Sequence, residues 1–128
     1  MSLCLAAGAV SAVLAIDAFT LSWTHSIEKV RWEEDWRIVG SELVISEARI
    51  RGTGAGMEPP ADSVLKNGAW HYRPELPPQQ VLRLAHSPHT GGYTLCTATV
   101  CKPLADYLPG IADTTAIELR ECESRGLK

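Results

Sequence analysis

His25 and Glu34 are the pair in this chain whose types and separation best suit chemistry. A carboxylate that accepts a hydrogen bond from one imidazole nitrogen fixes the tautomer and frees the other nitrogen to act as a base or a ligand. Trp23, Trp32 and Trp36 surround the pair in sequence, and aromatic walls that keep water away strengthen such a coupling. The structural alternative is a satisfied polar pair closing one end of a core. Gly52, Gly54 and Gly56 form a second candidate, followed by Met57-Glu58-Pro59-Pro60. This pattern is neither the dinucleotide fingerprint nor a P-loop, and the two prolines block the helix whose amides would meet a phosphate. The spacing does offer backbone that a ligand can approach closely at Gly54 and Gly56, with Glu58 on a stiffened segment beside it. His86 and His89 have no third ligand close by in sequence, so no metal site is assigned, and no cofactor motif is found.

The elements that must position these groups read as strands. Phe19, Leu21 and Trp23 alternate with Thr20, Ser22 and Thr24, and Trp32, Glu34, Trp36 and Ile38 alternate with Glu33, Asp35 and Arg37, the period of a half-buried strand. Paired antiparallel, odd positions of the first must face even positions of the second. A loop of Glu28-Lys29-Val30-Arg31 satisfies this and sets Ile27 against Trp32, His25 against Glu34, Trp23 against Trp36 and Leu21 against Ile38. Glu33, Asp35 and Arg37 then point to solvent. Residues 43–51 are a further strand of unclear alternation, and Asn67-Gly68 between residues 64–66 and 69–72 is a hairpin signal. Trp70 and Tyr72 share one strand face, His71 and Arg73 the other. Residues 81–85 and 115–122 are further strands, and residues 103–108 a single helical turn that begins with proline.

About eight or nine short strands with almost no helical periodicity predict an all-β fold, a single-domain antiparallel β-sandwich or partly open barrel over residues 1–128 with at most one short helix. The 128 residues, 45% hydrophobic and 21% charged, suffice for one core. A net charge of −3 with scattered basic residues argues against a nucleic-acid partner. The uncharged first sixteen residues lack the basic start of a signal peptide and the length of a spanning helix. They read as buried strands broken at Gly8 and Ser11, which favours a cytoplasmic protein that does not span a membrane.

The cysteines qualify that location. A hairpin with Ala98-Thr99 at its tip pairs Thr97 with Val100 and brings Cys96 opposite Cys101, close enough for a disulfide. Free buried thiols are the other reading, and they fit a cytosolic protein, whereas bonded cysteines place the chain outside the cytoplasm. Spacing leaves Cys4 and Cys122 unassigned.

Leu3-Cys4-Leu5, the run from Phe19 to Lys29, Trp32-Glu33-Glu34-Asp35, Gly54-Ala55-Gly56-Met57-Glu58-Pro59-Pro60 and Trp70-His71-Tyr72-Arg73-Pro74 resemble the bacterial domain-of-unknown-function family numbered 1850. The resemblance implies a small stand-alone domain associated with TRAP-type (TAXI) solute transporters, which use a separate extracytoplasmic binding protein. It implies no activity and no catalytic residues. With the incomplete catalytic set, it points to a non-catalytic accessory or binding module that uses His25, Glu34, Trp23, Gly54, Gly56 and Glu58 to engage a small anionic ligand or a protein partner, transporter subunits included. The alternative is a small hydrolase or metal-dependent enzyme with His25 as general base, supported by Glu34 or Glu58.

Overall fold

The computed structural model describes residues 1–24, 30–51, 62–85, 92–111 and 115–122. Eleven strands lie within them: β1 (Ser2–Ala7), β2 (Val10–Leu14), β3 (Ala18–Thr24), β4 (Arg31–Val39), β5 (Glu42–Arg51), β6 (Val64–Lys66), β7 (Ala69–Tyr72), β8 (Leu82–Leu84), β9 (Thr94–Cys96), β10 (Cys101–Pro103) and β11 (Ile117–Cys122). The helical turn expected after Pro103 is a 3-10 turn, Leu104–Tyr107. The count exceeds the eight or nine strands expected, chiefly because the apolar N-terminal run folds back on itself as β1 and β2. That run breaks at Gly8, whereas Ser11 lies inside β2. No helix among the described residues is long and apolar enough to cross a membrane.

A four-stranded sheet in the order β2-β1-β11-β8 and a seven-stranded sheet in the order β10-β9-β3-β4-β5-β7-β6 make an all-β sandwich, antiparallel throughout and not closed into a barrel. Alternation dictates the two faces. Leu3 and Leu5 of β1 and Leu119 of β11, each at 0% exposure, oppose Phe19, Leu21, Trp36, Ile38, Leu43, Ile45 and Leu95 of the larger sheet. Burying each such leucine removes apolar surface worth roughly 2 kcal/mol from water.

Two local devices set the registers that matter for the site. Asn67 and Gly68 turn β6 into β7 with positive φ of 54° and 79°, the conformation that Asn-Gly adopts most cheaply in a tight hairpin. Between Asp35 and Trp36 the pairing of β4 with β5 slips by one residue. This bulge explains the unclear alternation of residues 43–51. Leu43 and Ile45 face inward by odd parity, Ala48 and Ile50 by even parity, and the extra residue, Ser46, donates its hydroxyl to the Asp35 carbonyl at 3.2 Å.

Both cysteine pairs are bonded. Cys96 and Cys101 stand opposite each other on β9 and β10, with Thr97 N–H donating to the Val100 carbonyl as the hairpin reading requires. The second disulfide, Cys4–Cys122, joins β1 to β11 across a sequence separation of 118. Two such bridges meet the condition under which the sequence points outside the cytoplasm.

Candidate functional site

The β3–β4 hairpin differs from its expected register by four residues. Thr24 pairs with Arg31, Trp23 with Trp32, Leu21 with Glu34 and Phe19 with Trp36. Arg31 therefore belongs to β4, and the four-residue loop that ended on it is replaced by a longer connection. A shift of four preserves parity, so the faces are as expected while every partner changes. It also aligns two indoles, and Trp23 and Trp32 stack with centroids 6.2 Å apart and planes 7° from parallel. Glu34 has Leu21, not His25, as its partner on β3. His25, Ile27, Gly54, Gly56, Glu58, His86 and His89 lie outside the described residues.

On the inner face, Glu34 sits in the row Leu21–Glu34–Ala48–Tyr72, beside the row Trp23–Trp32–Ile50–Trp70. Tyr93 packs against Trp23 at 5.3 Å between centroids. The buried Trp36 indole donates its N–H to the Glu34 carboxylate at 3.0 Å. Burial pushes the Glu34 carboxyl above the ordinary range, only partly offset by that hydrogen bond. Burial also raises the Tyr72 and Tyr93 phenols, helped by the Glu34 charge close to both. Glu34 is thus an acid held among aromatic rings, and among the described residues no arginine, lysine or histidine pairs with it.

A raised folded-state pKa means that ionising Glu34 costs stability. The cost is absent below the unfolded carboxylate value and fully present above the folded one. Glu34→Gln keeps an oxygen that can accept from Trp36. It is expected to stabilise the protein at pH 7 by a small, measurable margin that vanishes near pH 4, as read by urea midpoints across that range. A loss of stability at pH 7 would show that the charge itself holds the fold.

The outer face of the same sheet carries a second constellation. Its rows are Thr20–Asp35–Glu47, Ser22–Glu33–Arg49–His71 and Thr24–Arg31–Arg51. Arg49 reaches three carboxylates: Asp35 through both Nη atoms at 2.7 and 2.8 Å, Glu33 at 2.9 Å and Glu47 at 2.9 Å. Glu33 also accepts from Arg31 and Arg51, Asp35 from Thr20 at 2.7 Å, and Glu47 lies 2.8 Å from His71 Nδ1. Arg49 first, and then the Thr20 hydroxyl, hold Asp35 below its ordinary range against burial. For Glu33 and Glu47 burial pulls upward, yet Arg49 with its neighbouring donors holds both low. Arg49 is raised, chiefly by Asp35.

These three acids therefore act opposite in sign to Glu34. Their contribution is present above the unfolded carboxylate values and is lost as pH falls through the folded ones. Stability measured by urea is expected to fall steadily from about pH 4 downward, and a flat profile there would contradict the network. Sequence parity correctly turned Glu33, Asp35 and Arg37 outward, but it treated them as solvated. The signal for the network was present in Glu33, Asp35, Glu47, Arg49 and His71, one outward set on adjacent strands, and it required the bulge to be read.

A groove of about 560 Å³ opens beside the bulge, lined in part by Asp17, Thr20, Asp35, Ser46 and Cys96. The Asp35 carboxylate and the Thr20 and Ser46 hydroxyls in its lining already have partners. No cluster of residues able to hold a metal ion occurs among the described residues.

No match to the chain was found among curated proteins or solved structures. A family model described as a domain of unknown function (DUF1850) matches residues 19–104, a span from β3 into the 3-10 turn that includes Glu34, the tryptophan row beside it and the Arg49 network. The chain belongs to the DUF1850 family.

Proposed function

We propose that this protein is a non-catalytic binding or accessory module that works beside a TRAP-type solute transport system outside the cytoplasm, and that it engages its ligand or protein partner at the aromatic inner face around Glu34. The observation that carries the reading is the Glu34 carboxylate, which has no cationic partner among the described residues. The Trp36 indole needs an acceptor, but an amide oxygen would serve as well, so a costly carboxylate at this position is better explained by what it binds. The two disulfides support an oxidising compartment. The transporter association rests on the sequence resemblance. A small anion remains the ligand suggested by Gly54 and Gly56, whereas the described side of the site offers negative charge. A general base at His25, which the hydrolase alternative needs, lies outside the described residues.

The test is affinity capture of the protein with the TRAP-type membrane subunits and extracytoplasmic binding protein, together with identification of small molecules that copurify. Retention of a subunit that is weakened by Glu34→Gln supports the reading. Neither partner nor ligand, with no ligand-induced thermal shift, overturns it.

A further inference from the structure

Within the seven-stranded sheet, the carboxylates on β4 and β5 at Glu33, Asp35 and Glu47 all have an arginine, and each of those arginines lies on the outer face. Glu34 is turned to the opposite face, where the sheet itself separates it from Arg31, Arg49 and Arg51. The residues that share its face are aromatic: the stacked Trp23 and Trp32 in the next row, Tyr93 against Trp23, and Tyr72 across the small Ala48. A carboxylate among aromatic rings disfavours a bound anion by charge and a neutral apolar ligand by desolvation of the acid. It favours a weakly hydrated cation, which gains from the rings' quadrupoles and from the charge together. The protein makes the same kind of contact elsewhere, with the Lys102 ammonium 4.3 Å from the Tyr107 ring centroid.

We propose that this face binds a small organic ammonium ion, with Glu34 as counter-ion and Trp23, Trp32, Tyr72 and Tyr93 as the surrounding rings. The inference rests on the binding-module reading and names its ligand class. An alkylated ammonium fits better than a metal ion, because indole and phenol rings cannot replace the oxygen ligands that a hard cation loses on leaving water.

The experiment titrates the full chain with tetramethylammonium chloride, following intrinsic tryptophan fluorescence, against sodium chloride at matched ionic strength. A saturable change specific to tetramethylammonium is expected. Glu34→Gln should weaken it at least tenfold, while Glu118→Gln on the four-stranded sheet leaves it unchanged. Trp32→Leu, with its fold checked by circular dichroism, should weaken it too. An equal response to sodium, or undiminished binding by Glu34→Gln, overturns the proposal. Capture of transporter subunits without tetramethylammonium binding would remove the ammonium ligand and leave the module reading intact. Binding without capture would keep the ammonium ligand and the binding-module reading and remove the transporter association alone.

Discussion

Replacing Cys4 and Cys122 together by serine is expected to lower stability by about 5 kcal/mol, the cost of releasing a closed loop of this size in the unfolded chain. Their bond spans a sequence separation of 118, so nearly the whole chain gains freedom when it is cut. The Cys96–Cys101 bridge closes a separation of 5, and its loss should cost only about 2 kcal/mol on the same scaling. Urea unfolding of the two double-serine variants and the parent compares them directly. For a domain whose total stability is of order 5–15 kcal/mol, the first variant should be partly unfolded at 37 °C and the second should remain folded. Equal losses, or the reverse order, would mean that native-state packing around the bridges outweighs chain entropy.

Arg49→Met should cost about 2 to 3 kcal/mol. Breaking a buried ion pair costs more than making it gains, because the orphaned acids keep their desolvation penalty. The cost lies at or below the lower end of the range for buried pairs because Asp35 and Glu47 retain 34% and 41% side-chain exposure, although Arg49 itself keeps only 15%. Glu33 still has Arg31 and Arg51, whereas Asp35 is left with Thr20. Asp35→Asn in the Arg49→Met background should therefore recover part of the loss, and the acid-side decline in stability should flatten. A double variant as unstable as Arg49→Met alone, across pH 3 to 7, would show that Arg49 acts by packing its stem and not by its charge.

Strand positions were largely legible because alternation is local. Residues 18–24, 31–39 and 117–122 carry it within their own few residues. The Asn67-Gly68 and Ala98-Thr99 hairpins were legible because a short connection leaves one sensible register, and the Cys96–Cys101 bond followed from it. The β3–β4 register was not. Offsets differing by four are equivalent by parity, and the choice between Trp23 facing Trp32 or Trp36 depends on how two indoles stack and on a connection whose length parity does not fix. Preference for the shorter loop produced the His25–Glu34 pairing. The acid itself was found correctly on the inner face, since parity survives such a slip. The Arg49 network was invisible for a related reason: it needs β4, β5 and β7 in register at once, with an inserted residue at Ser46 that reverses the parity of half of β5. Cys4–Cys122 lies beyond any local rule, because it depends on the two ends of the described chain meeting.

That meeting has a consequence for biosynthesis. β1 is an interior strand of its sheet only because β11 lies against it, and β11 is made after every other described strand. While the ribosome is still working, the β1–β2 hairpin has no second neighbour, and Leu3 and Leu5 have no Leu119 to cover them. The small sheet can close only after β11 has emerged, so the nascent chain carries an uncovered apolar ribbon throughout the synthesis of the strands in between, the state that holding chaperones recognise.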